Sequence, residues 1–411
     1  MAKVLISSVG TGFKAKDSKS EYESTIYTID GKDYENKQLV SKVIVEHFDI
    51  EKIIFIGTKK SRWDNYCYYF NEMDETYETL EKKIDNSSLE EKDLDVLEQV
   101  VRKSHKNIKE VHSFLIDYKE NNQEEMWGNF YKLQQIENYL EKGDEVYLDM
   151  THGFRYMPIL NMLVLEFLSL EKENIFELKA ILYGMLATTP QKSNIVDMKI
   201  FFDLLKWIRA INMFKHNSNA DQLINLLKES DFEDKEVLTK TFSNFNNSLH
   251  IANMASIKQF ITGAKSKIQK MKNSKNNIIS FVYPQLEQII SRLDRDKLSH
   301  FQYELASWLY ENKNYALSYM ALAEAIVSKT CELKGLDTSS QDDRNQAKRR
   351  IDAPYNKYYN ETIGTEKNKN ANISDIRNNI AHQLRDRKNM VNQDIQSLEK
   401  FLITFKDYIY S

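Results

Sequence analysis

Every segment of this chain that reads as a β-strand falls before about residue 198, and only helical patterns follow to residue 411. A change of class that abrupt calls for two cores: an α/β domain over residues 1–198 and an all-α domain over residues 199–411. Residues 199–215, with an apolar helical rhythm from Phe201 to Phe214, are the expected connector helix. In the first part, residues 3–8, 52–57, 108–117, 146–150 and 178–183 are short apolar runs separated by helical patterns. That alternation predicts a parallel-type sheet with helices on both faces. Residues 25–28 and 32–34 flank Asp30-Gly31 and read as a hairpin around a tight turn. In the second part, nine helical segments are expected between residues 201 and 410, the last two at 374–385 and 394–410. Gly (11) and Pro (4) are scarce, which favours long uninterrupted helices.

The remaining bulk properties mostly exclude. A net charge of −4 does not support broad electrostatic binding to nucleic acid, so any RNA must be held in a local site. Cys67 and Cys331 have no CxxC neighbour, which argues against a disulfide framework or a zinc site and for two reduced thiols in a cytoplasmic protein. The opening residues show no signal peptide, and the apolar stretch 157–170 is too short to span a bilayer, so no membrane association is expected. That stretch reads as a buried helix. Trp127 and Trp207 fall on apolar helical stripes and are expected to face the core.

Two local patterns carry chemistry. The first is Tyr147-Leu148-Asp149-Met150-Thr151-His152-Gly153-Phe154-Arg155-Tyr156-Met157-Pro158, a buried strand, a turn and then a helix. Open α/β sheets bind ligands at the carboxyl ends of their strands, and helix amino ends favour anions. Thr151 supplies a hydroxyl, His152 and Arg155 supply donors, and Gly153 lets the backbone approach closely. A second limb follows the first strand, where Ser7, Ser8, Gly10, Thr11 and Gly12 could form a nest of N–H donors. Thr58, within Gly57-Thr58-Lys59, marks the edge. Gly10-Thr11-Gly12 is not followed by a GxGxxG completion, so dinucleotide binding is not expected.

The second pattern is Ser374-Asp375-Ile376-Arg377-Asn378-Asn379-Ile380-Ala381-His382. Ser374 is a plausible N-cap, and Asn378 and His382, four apart, share a helical face. An imidazole, an amide and a guanidinium suit RNA cleavage by the 2′-hydroxyl, with His382 moving protons and Arg377 stabilising charge on phosphorus oxygens. Taken alone, Arg-x4-His is a weak signal that more often describes a surface arginine and a packing histidine. His105, His112, His216, His250 and His300 form no ligand spacing and are expected in packing or surface roles. Lys348-Arg349-Arg350 reads as a solvated run or an RNA contact.

Together these segments resemble the CARF–HEPN ancillary ribonucleases of type III CRISPR systems. The resemblance runs through the strand-turn-helix segment with Glu145 before it, and through Arg377-Asn378-x-x-Ala381-His382 in an all-α domain. The helix beginning Tyr315-Ala316-Leu317 resembles a packing helix of the same domain. It implies a Rossmann-like CARF domain that binds cyclic oligoadenylate, with four or six adenylates, as an allosteric activator. It further implies a HEPN domain that cuts single-stranded RNA in a homodimer, with Arg377, Asn378 and His382 catalytic. The ligand pocket it implies comprises Ser7, Ser8, Gly10, Thr11, Gly12, Thr58, Thr151, His152, Gly153, Phe154 and Arg155. The reaction so drawn needs no metal and no catalytic cofactor. Two other readings stay open: a ring nuclease that degrades its own ligand in the CARF pocket, and a non-enzymatic sensor with a helical dimerisation half.

Overall fold

The computed structural model describes residues 1–11, 24–71, 76–118, 123–153, 156–171, 176–185, 192–360, 372–382 and 391–411. The chain divides into two compact units, Met1–Phe202 and Asp203–Ser411.

The first unit is built on eight strands: β1 (Lys3–Ser8), β2 (Thr25–Ile29), β3 (Lys32–Lys37), β4 (Lys52–Thr58), β5 (Glu110–Ile116), β6 (Asp144–Asp149), β7 (Phe176–Gly184) and β8 (Lys192–Asp197). They form one sheet in the order β3-β2-β8-β7-β6-β1-β4-β5. From β5 to β7 the pairs are all parallel, as the alternation of strands and helices predicts. Side chains alternate across such a strand, and both faces are apolar here. Leu5, Ile53 and Phe55 enter one core, beneath the helices Val40–Phe48, Trp63–Asn71 and Asp95–Ser104. Val4, Ile6, Ile54, Val146 and Leu148 enter the other, beneath the helix Met157–Glu171. The helices joining β1 to β4 and β4 to β5 therefore lie on one face, and the helix joining β6 to β7 on the opposite one. The winding reverses between β1 and β6, and at such a point the strand ends leave a crevice.

The other end of the sheet departs from the expected parallel pattern. β7 pairs antiparallel with β8 and β8 pairs parallel with β2, while β2 closes antiparallel on β3 as the hairpin expected around Asp30-Gly31. β8 carries no apolar run, only the alternation Ser193 and Ile195 buried against exposed neighbours, so it gives little signal. The β2–β3 turn has Asp30 at φ 49° and Gly31 at φ 76°, the paired positive values that match a two-residue turn to strand twist.

Two expectations about apolar residues fail here. Trp127, on the helix Gln123–Gln134, is 60% exposed rather than in the core. In the helix Met157–Glu171, Met157, Val164 and Leu168 are buried but Ile159, Leu163 and Leu170 face outward, so the helix is not buried all round. Together with Met126 and Phe130 they line an apolar groove of about 650 Å³.

The second unit is helical throughout its described residues. Trp207 is in the core as its rhythm requires, in a cluster where Phe214 meets Phe242, Phe245 and Trp308 edge to face and Phe242, Phe245, Phe260 and Trp308 meet in tilted pairs. The helix Tyr315–Lys334 packs against the helices Leu298–Glu311, Ile373–His382 and Val391–Tyr410, which buries most of its surface. Buried hydroxyls pin these contacts: Ser318 donates to the Ala306 carbonyl, Tyr303 to that of Leu402. The helices Gln341–Arg349 and Ala353–Tyr359 lie outside the expected segments; the first is short and strongly polar, and the second has only seven residues, too few to show a repeating apolar stripe.

Candidate functional site

In the first unit the register of β1 and β6 sets Ser7 opposite Asp149. Ser7 is fully buried and its hydroxyl donates to Asp149 Oδ2 at 2.8 Å. The other carboxylate oxygen accepts the Thr151 N–H at 2.9 Å, which curls the chain over the strand end. Thr151 Oγ1 accepts from the Gly184 N–H at 2.9 Å, so its own proton stays available to a ligand. Ser8 is buried too; its Oγ accepts from Nδ2 of Asn161 at 2.9 Å. Gly153 sits at φ +107°, and a Cβ there would come 2.9 Å from Cβ of Ser8 and 3.2 Å from Sδ of Met157. Glycine is required at that position both by the dihedral and by the space.

The edge of the crevice is organised by Ser61. Its Oγ donates to the Val9 carbonyl at 2.7 Å and accepts from the Thr58 N–H at 2.9 Å. The Gly10 carbonyl accepts from the Arg62 N–H at 2.9 Å, which joins the two loops. Thr58 is buried and Thr11 is exposed. The structure thus gathers Ser7, Ser8, Gly10, Thr58, Thr151, His152 and Gly153 around the β1 and β6 ends, with Ser7 beneath the floor and committed to Asp149. Gly12, Phe154 and Arg155 lie outside the described residues. Asp149 and Asn161 were not among the candidates; an aspartate closing an apolar strand and an asparagine inside an apolar helix were the available signals.

His152 completes the turn. Its Nε2 is shielded from solvent, and burial pushes the imidazole below its usual range, opposed by the Asp149 carboxylate. A base whose pKa is lower folded than unfolded contributes its stability above the unfolded value, 6.5, and loses it as pH falls towards the folded value. The melting temperature should therefore drop between about pH 7 and about pH 5 more steeply in the parent than in His152→Gln, by thermal denaturation. Equal slopes in the two proteins would show that His152 does not titrate in this way.

In the second unit, Arg377, Asn378 and His382 lie on the helix Ile373–His382. Its N-cap is Asn372 rather than Ser374: Asn372 Oδ1 accepts from the Asp375 N–H at 2.7 Å. Ile373 and Ile376 anchor the helix in the core, and Arg377, one position on, is part-exposed. Its Nη1 donates to Asn378 Oδ1 at 3.0 Å, and its Nη2 lies 3.9 Å from Glu324 Oε1. The side chain of His382 lies outside the described part of the molecule. Arg349 and Arg350 are exposed and Lys348 half-buried. Among the scattered histidines, His112 packs on Tyr139 and His300 bonds the Ile409 carbonyl. Among the described residues, no group of three or more His, Cys, Asp or Glu is placed to hold a metal, and no helix is long and apolar enough to cross a membrane.

Residues 4–186 match the family model described as "CRISPR system endoribonuclease Csx1, CARF domain", and residues 203–300 match "CRISPR-associated protein MJ1674, second domain". The CRISPR-associated protein MJ1674 of Methanocaldococcus jannaschii is 31% identical over 408 residues, which cover 93% of this chain and 62% of that protein. The chain thus spans about three fifths of the length of the curated relative it matches. A solved structure, Enterococcus italicus Csm6 bound to cyclic hexa-2'-fluoro-hexa-dAMP, aligns over 100% of this chain and 94% of that one. The two chains are 12% identical over that alignment, with a TM-score of 0.41.

Proposed function

We propose, from the premise that this chain is a CARF-domain protein whose amino-terminal unit is of the Csx1 kind, that it is an endoribonuclease of CRISPR defence switched by cyclic oligoadenylate. The observation that carries the nuclease reading is the helix Ile373–His382, which sets Arg377, Asn378 and His382 within six residues, with Arg377 Nη2 3.9 Å from a carboxylate of a neighbouring helix. The activator occupies the crevice where β1 and β6 end, where the positive φ of Gly153 and the free proton of Thr151 receive a phosphate or ribose. The substrate is single-stranded RNA, bound locally, in keeping with a net charge of −4.

The chemistry is transesterification. His382 takes the proton of a 2′-hydroxyl as that oxygen bonds the adjacent phosphorus. Arg377 neutralises the charge that grows on the non-bridging oxygens, and Asn378 adds a polar contact. The bond from phosphorus to the 5′-oxygen breaks, and that oxygen takes a proton from an acid. One His382 per chain leaves either the base or the acid unfilled, so the working unit is a homodimer with two such helices face to face. The activator raises the rate only if it binds the cutting arrangement more tightly than the idle one.

Incubating the protein with labelled cyclic tetra- or hexa-adenylate, with and without single-stranded RNA, tests the whole reading. Activator-dependent RNA cleavage supports it. Degradation of the ring with RNA left intact points to a ring nuclease, and binding without either reaction to a sensor. Cleavage should persist in EDTA and leave 2′,3′-cyclic phosphate ends, because the nucleophile is the substrate's own hydroxyl; mass spectrometry of the fragments reads this. Fragments with 5′-phosphates would rule out the 2′-hydroxyl mechanism.

A further inference from the structure

Arg377 is not placed by its own helix alone. Glu324, the one carboxylate between Tyr315 and Ser328, directs Oε1 at Arg377 Nη2 and Oε2 at Arg344 Nη2. Arg344 is itself anchored: its Nη1 donates to the Ser328 hydroxyl at 3.3 Å and to the Thr338 carbonyl at 3.1 Å. Buried Tyr359 lies in the field of all three charges. Burial, then Glu324, pushes its phenol up to about 12, against the two arginines, so it stays protonated. The helix carrying Glu324 is packed on most sides, so the carboxylate starts from a fixed backbone.

We infer that Glu324 is a positioning residue for the proposed RNA cleavage, holding the Arg377 guanidinium in register on the helix Ile373–His382. This rests on the function proposed above. Arg344 occupies the second carboxylate oxygen, so the trio keeps one net positive charge and does not repel a phosphate. A contribution to fold stability is a poor alternative account of the Glu324–Arg377 contact. At 3.9 Å, with side chains 30% and 39% exposed, such a pair stabilises a fold little. Orientation of a guanidinium, by contrast, matters steeply to a reaction that needs it aligned on a developing charge.

The test uses the full chain with activator at saturation and initial rates of RNA cleavage over a range of RNA concentrations. Glu324→Gln should lower kcat by roughly 10- to 100-fold with KM little changed, and Glu324→Asp should fall between it and the parent. In an Arg377→Ala background, Glu324→Gln should cause no further loss, because the residue acts through Arg377. Melting temperatures should differ little between Glu324→Gln and the parent. Parental kcat in Glu324→Gln overturns the inference, as does an equal fractional loss in both backgrounds. A loss of rate that follows melting temperature across the two Glu324 variants overturns it too. A parent protein that cuts no RNA with any activator overturns the proposed function instead, and this inference with it.

Discussion

A His382→Ala chain will bind cyclic oligoadenylate as the parent does and will cut RNA about 10²- to 10⁴-fold more slowly, the range expected for a lost proton-transfer group. Binding should survive because the crevice lies in the Met1–Phe202 unit and His382 in the Asp203–Ser411 unit. The sharper form of the experiment is a dimer with one parental and one His382→Ala subunit, isolated by two different tags. If base and acid of one reaction come from opposite protomers, this heterodimer falls far below half the parental rate. Self-sufficient protomers would retain about half. Calorimetry with the activator, run beside the cleavage assay, shows whether the defect is chemical; a variant that still cuts at the parental rate would sink the assignment of His382.

Gly153→Val should abolish the response to activator while leaving the helical unit folded. Its φ of +107° disfavours any side chain, and a Cβ would come 2.9 Å from Cβ of Ser8 on a buried strand end that cannot give way. Strain of that kind costs about 1–3 kcal/mol before the clash is counted. Relief would come by moving the turn that Asp149 and Thr151 hold over the strand, and with it the backbone offered to the ligand. Unchanged activator affinity in Gly153→Val, by calorimetry, would place the ligand elsewhere. A circular-dichroism melt that keeps a helical transition separates this outcome from general unfolding.

Much of the fold was legible because it is written locally. The runs at Val4 to Ile6, Ile53 to Ile56 and Val146 to Leu148 are apolar on both faces, which marks strands covered on both sides. Asp30-Gly31 has the residues a two-residue turn demands. Arg377, Asn378 and His382 fall within six residues of one helical pattern, and Asn378 and His382 share a face by their spacing of four, so the sequence suffices to put them on one helix. Trp127 shows the limit of the same reasoning. Its periodicity says that it sits on an apolar stripe, but not whether anything in its own fold covers that stripe, and it is 60% exposed.

By itself, then, the sequence determined where the α/β half gives way to helices, which strands end in polar residues, and which side chains share a short helix. Each is set by residues a few positions apart, within reach of backbone periodicity. Only the tertiary structure decided which of those ends meet. Ser7 and Asp149 are 142 residues apart, and Asn161 and Ser8 are 153 apart. They meet because β6 takes the place beside β1 rather than beside β5, the strand that precedes it in the chain. Likewise Glu324 reaches Arg344 and Arg377 because three helices pack, and no spacing along the chain encodes that bridge. Strand order and helix packing follow from burying apolar faces over the whole chain at once, and that sum is invisible in any local window.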